Sequence, residues 1–154
     1  MVRLSGEVPR ALARATKLPQ ETRGDAPLTL TIVLNRTDQQ GFDEFLRGVQ
    51  DPQSPTYRNY LSPREQADRF GPSKKAYDEV RAWLRRKGFH LVEGSANRLK
   101  LTVRGTRRRA VEEFAIEIGD YRIGEKFFFA NDREPGVPAE LAPYIQVVAG
   151  LTDW

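Results

Sequence analysis

The chain has 154 residues, 39% hydrophobic and 30% charged, with a formal net charge of +4 at pH 7, which is typical of one globular domain. The absence of cysteine excludes disulfide frameworks and thiolate metal sites, and a single histidine, His90, excludes multi-histidine metal sites. No apolar run approaches the roughly 20 residues that a membrane helix needs. Residues 1–15 contain no signal-peptide h-region.

The first third of the chain predicts a lead-in, a strand and a helix. Residues 1–27 contain prolines and glycines without sustained periodicity, which indicates an extended, weakly ordered lead-in. Residues 28–34 alternate apolar and polar side chains and predict the first strand. Thr37 begins a capping-box pattern, and the apolar positions that follow predict a half-buried helix, which Pro52 ends.

Four prolines hold most of residues 51–72 in an extended or turning backbone. The side chains that we expect to anchor this segment are Tyr57, Tyr60 and Leu61. Within it, Ser62 and the residues after it have the pattern of a helix start, which predicts a short helix over 63–70. Ser73 caps the next helix, which carries Trp83 on its apolar face.

The second half predicts a hairpin, a helix and further strands. Residues 89–93 and 98–104 are strand-like and flank a turn-forming tetrapeptide. Thr106 can cap a helix, and period-two alternation resumes at Ile116, where we expect the fourth strand of the sheet. A further hairpin is expected over 121–130.

In this order the elements predict an α+β fold: a ferredoxin-like split βαβ antiparallel sheet with helices on one face only. The other face is left for solvent or a partner, and by alternation it carries Thr29, Thr31, Val33, Lys100, Thr102 and Glu117. We expect one core between helices and sheet, formed by Leu30, Ile32, Phe42, Phe45, Trp83, Leu84, Leu99, Leu101 and Ile118.

The residue patterns do not indicate catalysis. None of the five serines lies in a G-x-S-x-G elbow, and neighbouring carboxylates such as Asp43 and Glu44 fit the solvated face of a predicted helix. His90 lies in a predicted strand and is assigned no chemistry. We therefore expect no catalytic residue, no cofactor and no metal site in this chain.

Two features suggest an anionic partner. Arg107, Arg108 and Arg109 lie in the first turn of a predicted helix, where the helix dipole disfavours positive charge, so helix stability does not explain them. Lys126 precedes three consecutive phenylalanines, 127–129, but RNA-recognition aromatics alternate, which favours a buried or half-buried hairpin instead. A basic α+β nucleic-acid-binding domain stays open as the alternative function, with nucleic acid as the less favoured partner.

The most specific feature is a set of ordered segments that spans nearly the whole chain. They include Asp51-Pro52-x-Ser54-Pro55-x-Tyr57-Arg58-x-Tyr60-Leu61-Ser62-Pro63, Phe70-Gly71-Pro72-Ser73, Ala130-Asn131 and Pro138-x-x-Leu141-Ala142-Pro143-Tyr144. This set resembles the activation pro-domain of the sedolisins, the serine-carboxyl peptidases that include kumamolisin. The implied organisation is an extended lead-in over 1–27, a pro-kumamolisin-like activation domain over 28–150, and the start of a missing linker at 151–154.

The resemblance implies an α+β propeptide, similar to subtilisin-type propeptides, that assists the folding of a peptidase domain and inhibits it until acid releases it. The resemblance also implies that the chain is not itself an enzyme but the pro-region of a serine-type endopeptidase. Its implied partner is the catalytic domain of a sedolisin-type peptidase, in cis or in trans, without a membrane. The precursor is expected in an extracellular or other acidic secretory compartment, and any calcium would belong to the absent catalytic domain.

The candidate interface residues are Thr29, Thr31, Lys100, Thr102 and Glu117 on the sheet, Tyr57, Arg58 and Tyr60 in the proline-rich segment, and Arg107, Arg108 and Arg109. Because carboxylates far outnumber the single histidine, we expect acid release to follow protonation of carboxylates that pair with arginines, below about pH 5. The candidates for this role are Glu112, Glu113, Glu117 and Asp120.

Overall fold

A computed structural model of the chain describes residues 1–19 and 23–154; residues 20–22 of the expected lead-in lie outside the described residues. The helices are α1 (Gln39–Gln50), α2 (Pro63–Phe70), α3 (Lys74–Arg86) and α4 (Arg107–Phe114). The strands are β1 (Val2–Arg3), β2 (Thr16–Lys17), β3 (Pro27–Leu34), β4 (His90–Gly94), β5 (Lys100–Thr106), β6 (Ile118–Ile123), β7 (Lys126–Asn131), β8 (Gly136–Val137) and β9 (Ile145–Ala149). The α+β class predicted from the sequence is confirmed.

The largest sheet has four strands in the order β4-β5-β3-β9, and every neighbouring pair is antiparallel. In β3 the exposed or half-buried positions alternate with buried Leu28, Leu30, Ile32 and Leu34. The apolar side chains of the predicted alternation therefore form the inner face of the sheet, against which α3 and α4 pack. The predicted 89–104 hairpin is confirmed as β4 and β5.

The expectation that the fourth strand begins at Ile116 is wrong. β9 occupies that place in the four-stranded sheet, beside β3, with a register shift between Val33 and Leu34. The strand after α4 begins at Ile118 and forms a separate three-stranded sheet in the order β2-β6-β7. Alternation identifies a strand with one buried face, but it does not identify the neighbouring strand.

The helix starts follow their capping residues. The Ser62 hydroxyl accepts the Glu65 N–H while the Glu65 carboxylate accepts the Ser62 N–H, so the predicted capping box of α2 is confirmed. For α1, the capping residue is Asp38 rather than Thr37. Asp38 accepts the Gly41 N–H at 2.8 Å, whereas the Thr37 hydroxyl donates to the main-chain oxygen of the last residue of α2.

The main core lies between the four-stranded sheet, α3, α4 and the turn before β9. Of the predicted core residues it contains Leu30, Ile32, Trp83, Leu84, Leu101 and Ile118. Leu99 is only half-buried. Phe42 and Phe45 do not join this cluster, because they pack against Phe70 between α1 and α2, with ring centroids 5.7 Å apart in each pair. Fully burying such a side chain contributes about 1.5–3 kcal/mol.

The described part of the lead-in is docked, so the expectation of weak order there is wrong. β1 pairs with β8, and β2 pairs with β6. Between them, a 3-10 helix over Arg10–Arg14 buries Ala11. Two-residue strands are too short to leave a periodic signal in a sequence, and their partners lie more than one hundred residues away in the chain. The domain boundary at residue 28 stays a prediction.

Candidate functional site

The outward face of the four-stranded sheet is called the open face here. It consists of Thr29, Thr31, Val33, Lys100, Thr102, Arg104, Val147 and Ala149, whose side chains are exposed or half-buried. Thr31 lies opposite Thr102 in the centre, and Val33 lies opposite Lys100. The structure therefore brings together four of the five sheet residues predicted for an interface.

Polar and charged groups border this face. Lys100 and Arg104 lie near the two ends of β5, and His90 and Glu93 of β4 lie opposite Arg104 and Thr102. The centre, in contrast, presents threonine and valine side chains, which are β-branched and pack well on a pleated surface. A weakly polar centre with a charged border is the usual composition of a protein–protein interface.

Glu117, the fifth predicted sheet residue, lies outside the four-stranded sheet, in the turn between α4 and β6. Its N–H donates to the Asp132 carboxylate at 3.0 Å, and its main-chain oxygen accepts the Asp132 N–H at 3.0 Å. The assignment of Glu117 to the open face depended on the wrong fourth strand, so the structure separates it from Thr31 and Thr102.

The proline-rich segment forms a loop between α1 and α2. Arg58 adopts a positive φ of 63°, its N–H donates to the main-chain oxygen of Val49 at 3.0 Å, and its guanidinium lies 5.0 Å from the centroid of the Tyr57 ring. Tyr57 and Leu61 are half-buried, but Tyr60 is 72% exposed. Tyr60 therefore does not anchor the loop as expected, and its ring is available to a partner.

Arg107 is held inside the molecule. It is 9% exposed, its guanidinium lies 3.2 Å from the Asp120 carboxylate in β6, and it stacks over the Phe129 ring. Its main-chain N–H donates to the main-chain oxygen of Ala26, the residue just before β3. This side chain has little surface to offer a ligand.

The other two arginines of the triplet also have acidic partners. Arg108 pairs with Asp25 at 3.1 Å, and Arg109 lies 4.0 Å from Glu112 and 3.8 Å from Glu113. These intramolecular pairs account for cations at the first turn of α4 without an external anion. The nucleic-acid alternative then depends on net charge and on Phe127, which is 65% exposed.

Asp132 is a carboxyl group with a lowered pKa that the sequence did not single out. Burial raises the pKa of Asp132, but hydrogen bonds from the Arg133 guanidinium and the Glu117 N–H hold that pKa below its ordinary value. Sequence patterns missed Asp132 because its partners are an adjacent residue in a turn and a main-chain group that only the β6–β7 hairpin brings near.

Metal and membrane sites were not expected. Among residues 1–19 and 23–154, no group of three or more histidine, cysteine, aspartate or glutamate side chains could hold a metal ion. In the same described residues, no helix is long and apolar enough to cross a bilayer.

Comparisons with known proteins give a matching family and several relatives. Residues 14–154 match the family described as "Pro-kumamolisin, activation domain". Xanthomonalisin from Xanthomonas sp. (strain T-22) is 34% identical over 127 residues, which are 82% of this chain and 15% of that protein. Sedolisin from Pseudomonas sp. (strain 101) is 24% identical over 148 residues, 90% of this chain and 25% of the relative. Tripeptidyl-peptidase 1 from Macaca fascicularis is 29% identical over 129 residues, which are 80% of this chain and 23% of that protein.

Proposed function

Because the chain belongs to the pro-kumamolisin activation domain family, we propose that it assists the folding of a sedolisin-type peptidase domain and inhibits that domain until acid releases it. The chain spans no more than 25% of the length of the relatives named above, and we assign the peptidase activity to the part of those relatives that it does not match. The catalytic domain is the partner, in cis or in trans, and the precursor acts in an extracellular or other acidic secretory compartment.

The open face is the observation that carries this proposal. The inner face of the same sheet is buried under α3 and α4, whereas the outer face presents Thr31, Thr102 and their neighbours with their side chains exposed or half-buried. A sheet in a ferredoxin-like arrangement, with helices on one side, leaves such a face for docking. We assign the catalytic domain to it.

The size of the open face implies a second contact. The four strands β3, β4, β5 and β9 have eight, five, seven and five residues. With a spacing of about 4.8 Å between strands and a rise of about 3.3 Å per residue, they project roughly 400 Å². A stable interface buries about 800 Å² on each partner. We therefore assign the proline-rich loop, with Tyr57, Arg58 and exposed Tyr60, to the same interface.

The test uses the catalytic domain of xanthomonalisin, refolded from denaturant with and without this chain in trans. We expect the chain to raise the yield of active peptidase and to bind the folded domain more tightly at neutral pH than at acid pH. The segment of xanthomonalisin that matches this chain is the positive control. If that segment works and this chain neither binds nor raises the yield, the proposal is wrong.

The binding surface is tested with charge reversal. Lys100→Glu combined with Thr102→Glu should weaken binding at least tenfold while leaving the thermal midpoint of the free chain within a few degrees, because both side chains point away from the core. Lys75→Glu, on a side chain of α3 that is 83% exposed, is the matched control and should not change binding. Equal affinities for both variants would place the interface elsewhere.

A further inference from the structure

Glu7 connects the N-terminal segment to the edge of the four-stranded sheet. β9 is an edge strand, and on the side away from β3 its Val148 N–H donates to Oε1 of Glu7 at 2.6 Å. The other oxygen, Oε2, is buried and has no hydrogen-bond partner among the described residues. A side-chain carboxyl group thus occupies the place of a neighbouring strand.

The surroundings of this carboxyl group are acidic. The Glu134 carboxylate accepts the N–H groups of Gly6 at 3.2 Å and of Glu7 at 2.9 Å. Asn131, which is fully buried, donates to the main-chain oxygen of Glu7 at 3.3 Å, and its own Oδ1 has no partner in the described part of the chain. Two unpartnered buried acceptors and a neighbouring carboxylate make this a poor place for a second negative charge.

The nearby cations are directed elsewhere. The Arg3 guanidinium donates to the main-chain oxygens of Ala115 and Glu134, and the Arg133 guanidinium pairs with the Asp132 carboxylate at 2.8 Å. β9 itself, with the sequence IQVVA, contributes no charged side chain. No described ion pair therefore compensates an ionised Glu7.

We propose that Glu7 is an acid-closed clamp, so that its protonation tightens the docking of the N-terminal segment at Glu7 onto β9 and its ionisation loosens that docking. This proposal does not depend on the proposed function. Burial and the neighbouring Glu134 charge raise the pKa of Glu7 from its ordinary value of 4.5 to about 7, although the hydrogen bond from the Val148 N–H lowers it. A raised pKa agrees with the buried and acidic surroundings of this carboxyl group.

The sign of the effect follows from linkage. In the undocked segment Glu7 titrates at its ordinary value, so the docked form binds the proton more tightly. Docking is fully favoured below about pH 4.5 and is weakened as pH rises through about 7. The N-terminal segment is therefore held most firmly at acid pH.

Hydrogen exchange of the Val148 amide tests the clamp, because Glu7 is the group that accepts this N–H. We expect its protection factor, corrected for the intrinsic exchange rate, to fall at least tenfold between about pH 5 and pH 8. A shift from 4.5 to about 7 corresponds to roughly 300-fold, which partial solvent access reduces. The Leu34 amide, bonded to Leu99 inside the sheet, is the internal control and should not change.

Two variants complete the test. Glu7→Gln keeps an acceptor for Val148 without a titrating group and should make the protection independent of pH, whereas exposed Glu140→Gln should behave as the wild type. A wild-type protection factor that is constant over this range, or an unchanged pH dependence in Glu7→Gln, would contradict the proposal. So would a carboxyl carbon-13 titration of Glu7 in the wild-type chain with its midpoint near 4.5.

Discussion

The guanidinium of Arg107 at the start of α4 lies 3.2 Å from the carboxylate of Asp120 in β6. The same guanidinium stacks over the Phe129 ring in β7, 5.0 Å from its centroid. Because α4 also packs against the inner face of the four-stranded sheet, this pair joins the two larger sheets. Helix stability alone did not explain Arg107 at a helix N-terminus. Its contacts in the structure indicate that it stabilises the association of the two sheets.

Removing the acidic partner of Arg107 should be costly. Asp120→Asn leaves a largely buried guanidinium without its counter-charge, and we expect a loss of about 2–3 kcal/mol in the free energy of unfolding, measured in urea. Replacing both partners, Arg107→Met with Asp120→Leu, should recover much of that loss. Arg108→Ala removes an exposed pair with Asp25 and should cost less than about 1 kcal/mol. Similar losses for Asp120→Asn and Arg108→Ala would contradict this role.

Trp83 is the test of the main core. It is 5% exposed, and its ring packs against Phe114 with 5.8 Å between the centroids, so Trp83→Ala should reduce the free energy of unfolding by about 3–5 kcal/mol. Tyr60→Ala removes an exposed ring and should change stability by less than about 0.5 kcal/mol. A loss below about 1 kcal/mol for Trp83→Ala would show that the core does not depend on this side chain.

Local signals predicted local structure well. The Ser62–Glu65 capping box, the Ser73 and Thr106 caps and the alternation in residues 28–34 each have their physical cause within a few residues. Such features can be predicted from one sequence because the groups that satisfy each other are neighbours in the chain. The α1 cap moved from Thr37 to Asp38 because the Thr37 hydroxyl is bonded to α2 instead.

Long-range pairing was not available to the same reasoning. β9 and the strand at Ile118 both have the character of half-buried strands, and only tertiary packing decides which of them lies beside β3. The acidic partner of Arg107 and the burial of Glu7 have the same origin, since Asp120 and Val148 approach them only after the sheets form. The central threonines of the open face could be predicted, but Glu117 was assigned to it through the wrong strand, and Arg104, Val147 and Ala149 were missed.

Gly150 should not tolerate a side chain. Its φ is +106°, and an added Cβ would meet the main-chain oxygen of Thr29 in the neighbouring strand. Gly150→Ala should therefore reduce the free energy of unfolding by about 3 kcal/mol or more, measured in urea. Gly124→Ala is the matched control, because Gly124 also has a positive φ, +59°, but an added Cβ meets nothing within 4 Å there. Its cost should be about 1 kcal/mol, and equal costs would contradict the contact with Thr29.

Acid stability of the free chain should depend on Asp132. Burial raises the pKa of Asp132, but hydrogen bonds from Arg133 and from the Glu117 N–H outweigh it and hold that pKa below its ordinary value of 3.8. A lowered carboxyl pKa means that the folded form binds the proton less tightly than the unfolded form. The resulting stability is fully present above about pH 4 and is lost as pH falls through the folded value.

Asp132→Asn should therefore lower the thermal midpoint at neutral pH and flatten its decline below about pH 4, because the amide still accepts the Glu117 N–H but no longer titrates. His90 is exposed on the edge strand β4, so His90→Gln should leave the whole curve unchanged. Both expectations are tested by thermal midpoints measured from about pH 7 to pH 3 at constant ionic strength. A loss of stability centred near pH 6.5 that disappears in His90→Gln would show that histidine, and not a carboxyl group, is the acid sensor.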